Sequence, residues 1–441
     1  MRTYYLRSFG CQMNAHDAER IRALLEADGL RAVPEPEAAD VLVYNTCTVR
    51  QSADDRLAGH LGDAARLKKE DPRRRVLVTG CLPQAEQEAF FRRFPHVDGA
   101  LGPQNLHRLP ALLAAVEGAD ETSQPPSGYF EDGPGLSGEL AGRRERPFQA
   151  WVQIMSGCTN CCSYCIVPRA RGPERSRNLD AIVAEVRGLV DDGVREVTLL
   201  GQNVNAFGHD LRRGGWGDAP DFPALLRALD EITGLCRIRF MTSHPKDLSD
   251  DLVRALAELP SVCEHVHLPA QAGSDRVLSA MNRGYSSASY LERVRALRDA
   301  IPGVSITTDL IAGFPGETEE EFAETLDLVR QAEFDGAFTF LFSPRPGTAA
   351  AEMPGQVPAE VRSERVQQLV AVTQECARAS HERLVGHTAE ILIEGTSRDG
   401  RRLRGRTRQN VTVNAIGAAR AGAIVTVEVT EATSTTLRGR L

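Results

Sequence analysis

The sequence predicts an α/β protein in three parts: an N-terminal doubly wound α/β domain, a central incomplete barrel of six β/α units, and a small C-terminal β-barrel. Three observations predict it. Short apolar runs of the buried parallel-strand type alternate with helical patterns over residues 1–117. Six further strand candidates follow from Trp151, most of them separated by helical patterns. The final 60 residues then change to short β-type runs divided by polar, glycine-containing turns.

In the first part the strand runs are Tyr4-Tyr5-Leu6, Val41-Leu42-Val43-Tyr44 and Val76-Leu77-Val78. Between them lie the helical patterns Ile21-Leu24-Leu25, closed by Gly29, and Leu57-Leu61-Ala65, opened by Ser52. Each strand runs into a cysteine: Cys11, Cys47 and Cys81, spaced 36 and 34 residues apart, about one βα unit each. Parallel strands place their carboxyl ends on one edge of the sheet, so the three cysteines are expected to converge there. A three-thiol ligand set and three separate buried small hydrophobes are the two readings. Residues 118–146, rich in Pro and Gly and without periodicity, read as a linker.

The central part, residues 147–376, has strand candidates at 149–154, 195–200, 236–241, 263–268, 304–310 and 336–342, with helices such as 180–192 and 317–333. Functional loops belong at the carboxyl ends of such strands. The loop after the first strand carries Cys158, Cys162 and Cys165 in a C-x3-C-x2-C spacing. Three thiolates on one short loop suit three irons of a 4Fe-4S cubane and leave the fourth iron open to a small molecule. Cys161 also makes two abutting C-x2-C pairs, so zinc is an alternative, although structural zinc usually draws on separated knuckles. A disulfide is the further alternative, disfavoured because nothing at the N-terminus resembles a signal peptide.

A helical stretch over about 357–385 leads into the last part, residues 377–441, with β runs at 389–393, 411–413 and 424–429. The net charge of −8 argues against a protein that coats nucleic acid indiscriminately. Residues 381–441, however, carry ten Arg against six acidic residues. Arg398, Arg401, Arg402, Arg404, Arg406 and Arg408 fall between the first two β runs, as an Arg-rich connection suited to RNA phosphates and unstacked bases. A solvated charge run is the other reading. No apolar stretch approaches the length of a membrane span, so no membrane partner and a cytoplasmic location are expected.

These pieces together resemble the radical S-adenosylmethionine (SAM) methylthiotransferase family, over nearly the whole chain. The strings carrying the resemblance are Phe9-Gly10-Cys11-Gln12-Met13-Asn14, Asn45-Thr46-Cys47-Thr48-Val49-Arg50, Gly80-Cys81, and Cys158 to Arg177. Others are Gly201-Gln202-Asn203-Val204-Asn205, Thr242-Ser243-His244-Pro245, Leu268-Pro269-Ala270-Gln271, Asp309 to Thr318 and Ser343 to Thr348. Cys161, Arg169-Ala170 and Ala272 depart from the family's usual residues without removing a cluster ligand. Within the family, the chain looks most like the branch that modifies isopentenyl-adenosine (N6-dimethylallyladenosine) in tRNA, a transferase. Branches acting on threonylcarbamoyl-adenosine or on a ribosomal-protein aspartate are the near alternatives, and a non-catalytic iron-sulfur RNA-binding redox sensor the distant one.

The resemblance implies two 4Fe-4S clusters, one on Cys158, Cys162 and Cys165 and an auxiliary one on Cys11, Cys47 and Cys81. It implies SAM both as radical source and as methyl donor, and methylthiolation at C2 of the adenine beside the anticodon. An electron donor and a sulfur source, neither identified by the sequence, are also required. The cofactor does the hard chemistry and the protein positions it. Tyr164, Gln202, Asn203, Ser243, Gln271, Asp309, Gly313, Gly316 and Glu317 are the expected SAM contacts. The C-terminal module is similar to the small RNA-binding TRAM-like barrel that these enzymes carry.

Overall fold

The computed structural model describes residues 2–48, 51–118, 127–131 and 142–441, without the side chains of 51–53. Val49 and Arg50 of the second N-terminal string, and most of the expected linker, lie outside the described residues.

The first sheet is wholly parallel. Its strands are β1 (Thr3–Ser8), β2 (Arg31–Ala32), β3 (Val41–Thr46), β4 (Arg75–Gly80), β5 (Gly99–Leu101) and β6 (Ser127–Tyr129), in the order β2-β1-β3-β4-β5-β6. All six residues of β3 are buried, because helices cover both faces. Val41 and Val43 pack with Ile21 and Leu25 of α1 (Gln12–Ala27) on one face. Leu42 and Tyr44 pack with Leu57 and Leu61 of α2 (Gln51–Glu70) on the other. That alternation is the doubly wound arrangement. Strand β6 was not legible: it is three residues inside the Pro/Gly-rich stretch taken for a linker, too short for a pattern to emerge.

The central part has six parallel strands: β7 (Gln149–Gln153), then, after a short antiparallel pair β8 (Met155–Ser156) and β9 (Arg175–Ser176), β10 (Glu196–Leu200), β11 (Arg237–Phe240), β12 (His265–His267), β13 (Ser305–Ala312) and β14 (Gly336–Leu341). They form two three-stranded sheets, β7-β10-β11 and β12-β13-β14, linked by a parallel bridge between Ile238 and Val262. Among the described residues no ladder joins β7 to β14, so the barrel is open between them. One apolar cluster runs from Val152 on β7 through Val197, Ile238, Val266 and Ile306 to Leu369 on the helix Ala359–Glu382. Hydrophobic burial of this kind, about 25 cal/mol per Å², is what holds the helices to the barrel.

The last part is a closed barrel of β15 (Thr388–Thr396), β16 (Leu403–Thr407), β17 (Thr412–Ile416), β18 (Ile424–Ala432) and β19 (Thr436–Arg440). Strands β16 and β19 gave no apolar signal in the sequence. Along β16 the interior positions are filled by Gly405 and Thr407, and a side chain at Gly405 would come within 2.7 Å of the Leu392 carbonyl. This barrel docks on the amino-terminal ends of the central strands. Arg237 donates to the Arg406 carbonyl at 2.8 Å, Arg239 to those of Thr407 and Arg408 at 2.7 and 2.8 Å, and Arg408 pairs with Glu264 at 2.7 Å.

The N-terminal domain meets the central part through polar side chains. His16, Asp17, Glu19 and Arg20 on α1 are all buried. Helix α1 contacts β7, and Asp54 of α2 pairs with Arg345 just beyond β14, at 2.7 Å. The N-terminal domain therefore reaches both margins of the barrel opening. No helix among the described residues is long and apolar enough to cross a membrane.

His16 provides a pH test of this buried layer. Its Nδ1 lies 3.3 Å from Asp17, and burial pushes the imidazole from 6.5 down to about 4. Above pH 6.5 both folded and unfolded states hold it neutral. As pH falls toward 4 the unfolded chain takes up a proton that the folded chain refuses, so stability falls, by an amount on the order of 3 kcal/mol in all. His16→Gln is expected to flatten the thermal-melting curve between about pH 6.5 and 4; an unchanged slope would show that other groups govern it.

Candidate metal centres

The N-terminal cysteines converge as the topology requires. Cys11 is the N-cap of α1, Cys47 follows β3, and Cys81 opens α3 (Cys81–Glu86) directly after β4. Two of the three thiols thus sit at helix N-termini, where the dipole favours a thiolate. Cys11 is exposed, and a hydrogen bond from the Cys47 thiol, helped by the Arg171 charge, holds its thiol down at about 6. Burial pushes the Cys81 thiol up, and the charge of Cys11 adds to that. Asn14 accepts from the Cys11 thiol at 3.3 Å and donates to the Thr46 carbonyl at 2.9 Å, tying the first cysteine loop to the second.

Close approach of the strand ends requires glycine before Cys81. Gly80 has φ +107°, and a Cβ there would lie 2.1 Å from the Thr46 carbonyl oxygen. Three soft donors, two helix N-termini and a cradle with no room for an added methyl fit an iron-sulfur cluster.

The second set sits on the loop after β7, closed at its base by β8 and β9. Cys158, Cys162 and Cys165 are partly buried. Burial pushes the Cys165 thiol up to about 12, and the nearby charges of Cys162 and Cys158 add to that. Cys161 is exposed and directed to the Thr159 carbonyl at 3.7 Å. The loop is clamped from the segment after the helix Asp275–Ala280. Ser163 donates through its amide to Met281 and through its hydroxyl to Ala280, while Asn282 holds the Cys161 carbonyl at 2.8 Å. Arg283, buried and stacked on Tyr285, donates to the Cys162 sulfur at 3.3 Å. The donor chemistry again fits three irons of a cubane.

The expected SAM contacts separate into two groups. Gln202 and Asn203 follow β10, Ser243 follows β11, Gln271 follows β12, and Asp309 lies on β13, all toward the carboxyl edge. Asn203 donates to Asp247 at 2.7 Å, but its Oδ1, like the Ser243 hydroxyl, is buried with no partner among the described residues. Unsatisfied buried acceptors and donors of this kind cost about 1–3 kcal/mol each, and a ligand would satisfy them. Gln271 (φ +72°) and Thr242 (φ +68°) hold left-handed backbone at adjacent strand ends, strain of the kind that collects at ligand sites. Asp309 lies 3.4 Å from His267.

The second group is structural in its contacts. Tyr164 packs in an apolar cluster with Phe314 and Phe342. Gly313 donates to Glu317 Oε2 at 2.7 Å, Arg365 pairs with the same carboxylate at 2.9 Å, and Gly316 donates to the Gly355 carbonyl at 2.8 Å. Glu317 therefore braces its turn against the helix Ala359–Glu382.

The arginine run is not one connection. Arg404 and Arg406 lie on β16 and pair with Glu394 at 3.8 and 3.1 Å, and Arg408 is committed to Glu264 at the docking surface. Arg398 and Arg401 are exposed in the β15–β16 turn, and Arg402 is half-buried beside them. Sequence reasoning gave no role to Arg171, Arg283, Asn282 or Thr242. Arg171 and Thr242 had nearby signals, the first six residues beyond Cys165 and the second beside Ser243.

Residues 3–102 match the Uncharacterized protein family UPF0004, 152–329 the Radical SAM superfamily, and 382–441 the TRAM domain. The chain is 48% identical to the tRNA-2-methylthio-N(6)-dimethylallyladenosine synthase of Acidothermus cellulolyticus, covering 98% of this chain and 86% of that one. The chain belongs to this family. It is 46% identical to the family's member from Carboxydothermus hydrogenoformans, over 93% of this chain and 92% of that one. Among solved structures it is similar in fold to TsrM of Kitasatospora setae, a radical S-adenosylmethionine methyltransferase, with a TM-score of 0.55 at 15% identity, covering 80% of this chain and 75% of that one. Family membership makes the protein a radical-SAM transferase.

Gly80→Ala tests the N-terminal cradle. The variant is expected to lose the iron of that site alone, falling from about eight to about four irons per chain after anaerobic reconstitution. Full iron content in the variant would show that the close approach at Gly80 does not matter for binding.

Proposed function

We propose that the chain adds a methylthio group at C2 of N6-dimethylallyladenosine in tRNA, beside the anticodon, with one 4Fe-4S cluster on Cys158, Cys162 and Cys165 and a second on Cys11, Cys47 and Cys81. The observation that carries this reading is the pair of three-thiol sites, each at the carboxyl edge of its own parallel sheet, in a chain 48% identical to a synthase of that name. When bound, the core cluster and SAM supply the radical that activates an unreactive ring C–H, and the N-terminal cluster supplies or carries the sulfur.

The protein's own residues do the positioning. Asn203 and Ser243 offer buried, unpartnered polar atoms to SAM at the ends of β10 and β11. Gln202, Gln271 and Asp309 face the same edge, and the Gly313–Glu317 turn supports it from the side. Tyr164 packs the cysteine loop onto that edge and helps to exclude water. The assigned parts are a domain of residues 1–117 whose sheet is completed by β6 from the connecting stretch 118–146, a radical-SAM core of 147–376 and an RNA-binding barrel of 377–441. On the barrel Arg398, Arg401 and Arg402 meet the tRNA backbone, with Arg404 and Arg406 flanking them. Arg408 acts through docking. The reaction also needs an electron donor and a sulfur source, and a cytoplasmic location follows from the tRNA substrate.

Reconstituted protein with SAM, a reductant and tRNA bearing dimethylallyladenosine is expected to yield its methylthio derivative on nucleoside analysis. An unchanged dimethylallyladenosine peak with both sites loaded would contradict the reading.

Arg398→Ala/Arg401→Ala is expected to weaken tRNA binding and reduce the log–log salt slope by up to about two, with iron content unaltered. Equal affinity at two salt concentrations would make the turn a solvated face only.

A further inference from the structure

We propose that Arg171 is a positioning residue of the N-terminal cysteine site: it tunes the sulfur donors there and fixes that site against the loop that carries Cys158, Cys162 and Cys165. This inference rests on the reading of Cys11, Cys47 and Cys81 as a cluster site. Arg171 ends α6 (Val167–Arg171), the helix that leaves the Cys158–Cys165 loop. Its side chain does not stay with the central part. It crosses into the N-terminal domain, where Nε donates to the Cys81 sulfur at 3.3 Å and Nη2 pairs with Asp17 at 3.2 Å. Arg171 is 3% exposed and Asp17 is 1% exposed. Gln104, also of the N-terminal domain, donates to the Arg171 carbonyl at 2.7 Å, so both backbone and side chain are held.

A guanidinium stays charged in proteins, so the buried Arg171 is a fixed cation beside Cys81 and Asp17. A fixed cation and an N–H directed at a ligand sulfur both stabilise the more negative, reduced state of a cluster, and so raise its potential. Lysine could keep the charge but not the fork that reaches Cys81 and Asp17 together.

The test uses the full chain with Cys158→Ala/Cys162→Ala/Cys165→Ala, so that only the N-terminal site holds iron. Arg171, Arg171→Lys and Arg171→Gln are compared for reduction potential and for the rate at which a ferrous chelator removes iron, with thermal melts to verify folding. Arg171→Gln is expected to lower the potential and to speed iron loss about tenfold or more. Arg171→Lys should recover most of the potential and little of the iron retention. A merely structural role would not separate these two readouts. Iron bound with the same potential and the same rate in all three overturns the proposal while leaving the cluster reading intact. No iron in the Arg171 parent would overturn both. Should Arg171→Gln fail to fold, the Lys variant decides: an unaltered rate of iron loss in it overturns the proposal.

Discussion

A single buried ion pair, Arg171 with Asp17, connects the two chemistries of this chain. One partner lies on the helix that leaves the central cysteine loop, and the other on the helix that Cys11 caps. Burying either charge alone would be costly, and removing one member of such a pair costs about 3–5 kcal/mol. The N-terminal domain is therefore constrained to sit where Asp17 can meet Arg171, which brings Cys81 within 3.3 Å of the same guanidinium. Domain docking and the environment of the N-terminal site are one interaction.

The rest of the frame is built around this contact. Parallel sheets collect their carboxyl ends on one edge, so each sheet delivers its cysteines and polar residues to one side. The barrel is open between β7 and β14, and the N-terminal domain contacts both margins, through α1 against β7 and Asp54 against Arg345. The C-terminal barrel takes the opposite end, where Arg237 and Arg239 from the central strands bond to backbone carbonyls around β16. Each cysteine set also has a buried guanidinium donating to one sulfur, Arg171 to Cys81 and Arg283 to Cys162. Clustered thiolates repel one another, and a cation beside them offsets that repulsion.

Much of this was legible in the sequence, for identifiable reasons. All six barrel strands and the convergence of Cys11, Cys47 and Cys81 were readable, because short β-type runs alternate with helical patterns and parallel topology fixes where the strands end. Strands β6, β16 and β19 were not. The first is three residues long, and β16 carries Gly405 and Thr407 where an apolar pattern would be sought. The arginine run consequently read as one RNA-facing connection, although Arg404, Arg406 and Arg408 are paired with glutamates. The polar face of α1, for which the sequence gives no signal, is a buried domain contact. Arg283 gave no sign of its role, since contact with Cys162 across 121 positions is a product of the fold.

The central claim is that the two proposed cluster sites, on Cys11, Cys47 and Cys81 and on Cys158, Cys162 and Cys165, are held at a fixed distance by the Arg171 contact. The most direct measurement is the magnetic interaction between the two reduced clusters in reconstituted protein, by pulsed electron paramagnetic resonance. The account predicts two paramagnets at a single narrow separation, with the interaction lost when either cysteine trio is replaced by alanine. One isolated signal, or two with a broad spread of separations, would contradict it.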